Sequence, residues 1–209
     1  MNKEKWKKFW KKFWFVVWKD DSIKGWIISL VFLLIIIRGI FFPLLSLATG
    51  TSLPLVIVES CSMYHQGGEL FANFNDWWIS HAWKYTPRGI NESEFMAFPF
   101  KNGLNKGDIL FVTGVSPADV RVGDIIIFNA DMSAPIIHRV MSIKDENGTY
   151  FFSTEGDNNN GQLSVEENIN QNQIVGEPRA LVLPYVGWIK LVFFEGSKPP
   201  SERGFCVQD

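Results

Sequence analysis

A long apolar run near the N-terminus constrains this chain more than any other feature of its sequence. Residues 26–49 are nearly all apolar, and a helix of roughly 24 residues rising about 1.5 Å per residue crosses a hydrocarbon core of about 30 Å. Arg38 interrupts the run at a cost of about 2.5–3.5 kcal/mol, which the many Ile, Leu and Phe residues offset. The run predicts a transmembrane helix; a shorter helix with Arg38 reaching an interface is the alternative.

The charges before this run predict its orientation. Eight lysines and three acidic residues precede Trp26, and lysine-rich flanks stay in the cytoplasm. We expect residues 1–25 to be cytoplasmic, residues 26–49 to cross the cell membrane once, and the chain after about Ser52 to lie outside. The apolar run is too long for a cleaved signal peptide, whose apolar core spans about 7–15 residues.

Aromatic residues recur at helical spacing among the N-terminal lysines. The members of this pattern are Trp6, Phe9, Trp10, Phe13, Trp14 and Val17. The pattern is typical of an amphipathic helix lying on an anionic membrane surface. A disordered basic tail that only sets the orientation is the alternative.

From Leu53 onward, short runs rich in Ile, Val and Phe alternate with turn residues, which predicts β-strands. The expected strands are 54–58, 108–112, 124–128, 136–143, 150–153 and 179–183. Because most of the connections are too short for helical crossovers, the strands should be antiparallel. The predicted fold class is therefore mostly β, with an antiparallel, partly barrel-like domain over residues 52–194 following one N-terminal transmembrane helix. Residues 195–209 form a polar tail.

An aromatic-rich insertion over residues 64–103 separates the first two strands. Its aromatic residues are Phe71, Phe74, Trp77, Trp78, Trp83, Tyr85, Phe95, Phe98 and Phe100. A helix is expected over about residues 69–84. Because Trp and Tyr are enriched at membrane interfaces, the insertion either dips into the outer leaflet or covers a groove. Ordinary packing against the β core is the alternative.

Charge and metal-ligand spacing exclude some classes of function. The formal net charge of −2 argues against nucleic acid as a partner. The three histidines, His65, His81 and His138, lack the spacing of metal ligands, so no metal or cofactor is expected; His65 and His81 are expected at a surface or interface. Cys61 and Cys206 allow one disulfide at most, and the sequence does not tell whether they meet.

Two serines just after the first strand suggest nucleophilic chemistry. A serine hydroxyl needs a neighbouring base, and histidine titrates in the right range, so Ser62 is the candidate nucleophile and His138 the candidate base. Ser60 shares a face with Ser62 in an extended chain and can help to stabilise an oxyanion. A structural role for a lone histidine is the alternative.

The order of the motifs resembles the type I signal peptidases, in particular their archaeal and endoplasmic-reticulum branch. The matching blocks are the apolar segment, Ser60-Cys61-Ser62-Met63, Lys106-Gly107-Asp108-Ile109-Leu110, Val122-Gly123-Asp124-Ile125-Ile126 through His138-Arg139-Val140, Glu155-Gly156-Asp157-Asn158-Asn159, and 183–190. The resemblance implies a serine endopeptidase that removes signal peptides from secretory preproteins with small residues at positions −1 and −3. It also implies a histidine base at His138.

The resemblance leaves open which acid orients His138. Many relatives carry a second aspartate shortly after the Gly-Asp-Asn turn, which this chain lacks. We therefore expect Asp157 to take this role, with Glu166 and Glu167 as fallbacks and a serine–histidine dyad as a further alternative. His65 remains an alternative base because it lies near Ser62 in the sequence.

Two other functions fit parts of the pattern. A self-cleaving serine protease of related β fold is disfavoured by the apolar segment and the histidine base. A catalytically idle, membrane-anchored β module that binds partners through its aromatic insertion is the main alternative. Expected partners are preproteins and membrane lipid; accessory subunits are left open.

Overall fold

The computed structural model describes residues 3–66, 73–132 and 134–206. The chain forms two compact units, one ending at Ala48 and the other beginning at Thr49. Phe71 and the beginning of the helix expected over 69–84 lie outside the described residues.

The N-terminal unit is a pair of helices. Helix α1 (Lys3–Lys19) runs back along helix α2 (Ile23–Ile36). Ser22 caps α2 by accepting a hydrogen bond of 3.1 Å from the Gly25 N–H, and Ser29 Oγ donates to the Val17 carbonyl. The lysine- and aromatic-rich segment is thus helical, while its attachment to a membrane surface stays a prediction.

A π-helical turn (Ile37–Phe41) connects α2 to helix α3 (Phe42–Thr49). Together they form an apolar helix of 27 residues from Ile23 to Thr49, which contains an 18-residue stretch with a mean hydropathy of 2.6. At about 1.5 Å per residue this helix is long enough to span a bilayer. The expected membrane-spanning helix is confirmed in length and composition, and it begins three residues earlier than the apolar run predicts.

The second unit is built on a seven-stranded antiparallel sheet with the order β1-β2-β7-β3-β4-β5-β6. The strands are β1 (Leu55–Ile57), β2 (Ile109–Thr113), β3 (Ile125–Phe128), β4 (Ile136–Glu146), β5 (Thr149–Glu155), β6 (Ile169–Asn170) and β7 (Ile174–Leu183). The predicted mostly β, antiparallel fold class is confirmed.

Irregularities in the strand pairing bend this sheet. Register shifts occur between β2 and β7, between β3 and β7, and between β4 and β5, and such bulges increase local twist. Strand β7 joins the two halves by pairing with both β2 and β3. The result is the expected partly barrel-like sheet, with β1 at one edge.

Two strands differ from the prediction. Strand β7 begins at Ile174, five residues before the predicted start, because Gly176 and Pro178 interrupt the apolar pattern although both pair with β2 or β3. The two-residue β6 was not predicted, since its few residues carry no detectable alternation.

The aromatic insertion contains helix α4 (Phe74–Tyr85) and helix α5 (Glu92–Met96). Its aromatic side chains form a buried cluster that also contains Met141 of β4. The cluster comprises Phe74, Trp77, Trp78, Tyr85, Ile90 and Phe95. The described aromatic residues of this cluster thus pack against the sheet, as the alternative interpretation of the insertion held.

Candidate active site

The two serines lie in a turn that follows β1. The hydroxyl oxygens of Ser60 and Ser62 are 3.1 Å apart, within hydrogen-bonding distance. The Tyr64 N–H donates to the Cys61 carbonyl at 3.0 Å, so the segment is a turn and not the extended chain that was expected. The turn nevertheless places the two hydroxyl groups side by side.

The Gly156-Asp157-Asn158 segment forms hydrogen bonds with the backbone of this turn. The Asn158 N–H donates to the Ser62 carbonyl at 2.8 Å, and its side-chain amide donates to the Cys61 carbonyl at 3.1 Å. A Cβ on Gly156 would stand 2.7 Å from the Ser62 carbonyl oxygen, so only glycine permits this approach. The Gly-Asp-Asn motif therefore fixes the backbone of the candidate nucleophile.

The candidate base, His138, lies near the start of β4 and is buried. Its Nδ1 forms a short hydrogen bond to Oε1 of Glu166, which is also buried. Glu166 is fixed in turn by the Thr154 hydroxyl and the Leu163 N–H, both at 2.9 Å. A carboxylate accepts only, so Nδ1 carries the proton and Nε2 is left as the basic nitrogen.

A cleft of about 540 Å³ brings these groups to a common space. Ser60, Ser62 and His138 all line it. Two of its walls are the β1 segment, residues 55–58, and the segment entering β4, residues 134–137, and Lys198 and Glu202 near the C-terminus also line it. The structure therefore brings together three of the four predicted site residues in one cleft.

Asp157, the fourth predicted residue, belongs to a different network, which corrects the expectation that it orients His138. Its carboxylate accepts hydrogen bonds from Arg139 Nε at 2.9 Å, Arg139 Nη2 at 2.7 Å and the Tyr85 hydroxyl at 2.9 Å, and it lies 3.0 Å from His65 Nε2. Among the hydrogen bonds of the described residues, none joins Asp157 to His138. Consecutive side chains of a strand point to opposite faces, so the acid that meets Arg139 does not meet His138.

The charge of Arg139 also determines the state of Asp157. Burial alone would raise the pKa of Asp157, but the Arg139 charge and the hydrogen bonds from His65 and Arg139 outweigh it and hold this pKa well below its ordinary value. Asp157 is thus a buried carboxylate that is ionised at neutral pH. Glu166, one of the two fallbacks, takes the position beside His138, while the other, Glu167, is exposed.

His65 lies in the interior, contrary to the expected surface position. It is fully buried, its ring stacks on Trp77 at a centroid distance of 3.6 Å, and burial lowers its pKa although Asp157 opposes this effect. Because the ring is sealed between Trp77 and Asp157, His65 is not available to act as the base for Ser62.

Lys84 is a site residue that the sequence did not reveal. This buried lysine of α4 donates to the carbonyls of Gly156 and Asp157 at 2.9 and 3.0 Å and lies 3.4 Å from Oε1 of Glu155. Burial lowers its pKa, and the carboxylates of Glu155 and Asp157 oppose this effect. Lys84 fastens the Gly-Asp-Asn turn to the insertion, and no sequence motif marks this contact.

Cys61, between the two serines, forms a disulfide with Cys206 across 145 residues of sequence. The last described residues of the chain are thereby tied to the candidate site.

Sequence comparison finds relatives among catalytic subunits of the signal peptidase complex. The SEC11C subunit of Homo sapiens is 34% identical over 96 residues, which are 43% of this chain and 50% of that protein. The sec11 subunit of Dictyostelium discoideum is 32% identical over 97 residues (43% and 53%). The SEC11 subunit of Candida tropicalis is 33% identical over 99 residues (44% and 58%).

These matches confirm the resemblance to the archaeal and endoplasmic-reticulum branch of the type I signal peptidases. The chain spans about half the length of the curated relatives it matches. No protein-family model matches it.

We predict that Asp157→Asn destabilises the second unit without touching the base. The substitution leaves the buried Arg139 guanidinium without its counter-charge, and breaking a buried pair on one side costs about 3–5 kcal/mol. Thermal unfolding of the full chain in detergent should show a Tm lower by roughly 10 °C. Asp119→Asn, which changes an exposed aspartate, is the matched control, and an equal Tm for both variants would contradict this role.

Proposed function

We propose that this chain is a membrane-anchored serine endopeptidase that removes N-terminal signal peptides from exported preproteins. The observation that carries the proposal is the common cleft of Ser62, Ser60 and the Glu166-bound His138. The similarity to catalytic subunits of the signal peptidase complex supports the substrate class.

The proposed reaction begins when Ser62 Oγ attacks the carbonyl carbon of the scissile peptide. His138 Nε2 takes the hydroxyl proton during the attack and then gives it to the leaving amine, which leaves an ester on Ser62. A water molecule, deprotonated by the same nitrogen, releases the signal peptide as a carboxylate and regenerates Ser62.

Glu166 and Ser60 have supporting roles in this proposal. The Glu166 carboxylate keeps the proton on Nδ1 and stabilises the imidazolium that forms when His138 takes a proton. The Ser60 hydroxyl, 3.1 Å from Ser62 Oγ, donates to the oxyanion of the tetrahedral intermediate, a kind of contact worth about 2.7–4 kcal/mol.

The edges of two strands provide a place for an extended substrate. Strand β1 is the edge of the sheet, and β5 pairs with β4 only from Arg139 onward, so the start of β4 also has an open edge. An extended peptide can pair with these edges and direct alternate side chains into the apolar cleft. The specificity we propose, small side chains at positions −1 and −3, is the one that the resemblance to the signal peptidases implies.

The proposed location is the cell membrane, with the helix over residues 26–49 crossing it once. The N-terminal lysines favour a cytoplasmic N-terminus, and residues 52–194 form the extracytoplasmic peptidase domain, followed by the tail over residues 195–209. The Cys61–Cys206 disulfide supports this orientation, because disulfides persist in oxidising compartments.

One observation favours the idle β module as a second candidate. The hydrogen bond of Ser62 Oγ goes to Ser60, and among the hydrogen bonds of the described residues none joins Ser62 to His138. Catalytic hydrogen bonds are often long without substrate and tighten only when it binds. Activity assays therefore decide between the two candidates.

We predict that the purified chain in detergent cuts a preprotein with a small-x-small signal sequence after the second small residue. Ser62→Ala should lower kcat by about 10⁴-fold or more, because the nucleophile is lost. Gel and mass-spectrometric analysis of the products measures both the rate and the cleavage position.

The matched control for this experiment is Ser116→Ala, which removes an exposed hydroxyl elsewhere in the β unit. A folded but inert wild type, or undiminished cutting by Ser62→Ala, would contradict the proposal and favour the idle module or another nucleophile.

We predict that Glu166→Gln lowers kcat by about 10²- to 10⁴-fold. The glutamine amide can donate to Nδ1 and so move the imidazole proton to Nε2, where it blocks proton abstraction from Ser62. The neighbouring Glu167→Gln, at an exposed carboxylate, should leave kcat unchanged. Steady-state cleavage rates for both variants test this, and equal rates would remove Glu166 from the mechanism.

A further inference from the structure

The C-terminal segment, residues 195–206, is fastened to the residues around the candidate nucleophile. Cys206 is bonded to Cys61, which stands between Ser60 and Ser62. Lys198 Nζ donates to the Glu59 carbonyl at 2.7 Å. The segment therefore contacts the chain on both sides of Ser60.

The same segment is anchored to the β unit by one buried lysine. Lys106 Nζ donates to Oε2 of Glu195 at 2.8 Å, to the Glu202 carbonyl at 2.7 Å and to the Gly204 carbonyl at 3.1 Å. Phe205 packs on Trp188, with ring centroids 4.6 Å apart. Because the segment is held at several points, it can act as a fixed support.

The two serines differ in how they are supported. Ser62 has its carbonyl fixed by the Asn158 N–H, within the rigid network of the Gly-Asp-Asn turn. Ser60 is exposed and is flanked by Glu59 and Cys61, both of which contact the C-terminal segment. The segment therefore affects the position of Ser60, the proposed oxyanion donor, more than the position of Ser62.

We propose that the Cys61–Cys206 disulfide positions Ser60 against Ser62, so that full peptidase activity requires the oxidised chain. This inference rests on the proposed function. The cysteines act through the serines and are positioning residues. Reduction adds two electrons and two protons from an added dithiol, which becomes a disulfide, and it leaves two thiols on the protein.

A displacement of about 1 Å in a catalytic group can lower the rate by about 10²-fold. Reduction should therefore lower kcat by about 10- to 100-fold. The Michaelis constant should stay within about twofold, because neither Cys61 nor Cys206 lines the cleft and the β1 and β4 walls are the proposed substrate-binding edges.

The test compares the full chain in detergent in its oxidised, dithiothreitol-reduced and re-oxidised forms, with thiol alkylation and intact mass reporting the disulfide. A disulfide that closes a long loop also stabilises the fold, so near-ultraviolet circular dichroism should verify that the reduced chain is folded at the assay temperature. We expect kcat to fall on reduction and to return on re-oxidation. Cys206→Ser should have the low kcat under both conditions.

A second variant keeps the disulfide and removes the Lys198 hydrogen bond to the Glu59 carbonyl, together with the ion pair between Lys198 and Glu195. Lys198→Met should lower kcat about 3- to 10-fold, because the Glu59 carbonyl loses its hydrogen-bond partner. The effect is smaller than that of reduction, because a displacement of Ser60 by less than 1 Å lowers the rate less. Lys144→Met, at a lysine that is 71% exposed, is the matched control and should leave kcat unchanged.

The outcomes separate this inference from the function on which it rests. An oxidised wild type that cuts, with an unchanged kcat after complete reduction in the folded state, overturns the positioning role alone. An increase in the Michaelis constant without a fall in kcat also overturns it. An oxidised wild type that does not cut overturns the proposed function and this inference together.

Discussion

The buried ion pair between Arg139 and Asp157 holds the second unit together around its candidate site. Both side chains are fully buried. Removing two charges from water is costly and is offset only when hydrogen bonds satisfy them. Arg139 meets this condition with two bonds to Asp157 and three to backbone carbonyls, those of Pro99, Phe100 and Gly123. One guanidinium thus joins β4, the Gly-Asp-Asn turn and the end of the aromatic insertion.

The Arg139–Asp157 pair fixes the position of His138 relative to that of Ser62. Arg139 follows His138 in β4, and Asp157 precedes Asn158, whose N–H holds the Ser62 carbonyl. The carboxylates divide their tasks accordingly: Asp157 fixes the scaffold on one face of β4, and Glu166 contacts the imidazole on the other. The ionised Asp157 stabilises the fold through Arg139, and in our proposal Glu166 orients His138 for the proton transfer.

Much of this arrangement follows from local sequence signals. The apolar run, the strands with their turn residues and the order of the motifs predicted the membrane-capable helix and the antiparallel sheet. Ser60, Ser62 and His138 could be selected as candidates because their residue types and neighbouring motifs suggest nucleophilic chemistry. The partner of His138 appeared only among the fallbacks, because Glu166 lies 28 residues away and approaches through a short 3-10 turn (Ser164–Glu166) that no motif marks. The Cys61–Cys206 pairing and the Lys84 contacts depend on tertiary packing in the same way.

Covalent labelling of the nucleophile tests the central claim most directly. A peptide diphenyl phosphonate with alanine at positions −1 and −3 reacts with an activated serine hydroxyl, which forms a bond to phosphorus and displaces one phenol. Intact mass spectrometry and peptide mapping of the full chain should show one adduct, on Ser62, with a labelling rate at least about 10²-fold lower in His138→Ala. An adduct on another residue, or an unchanged labelling rate in His138→Ala, would contradict the account.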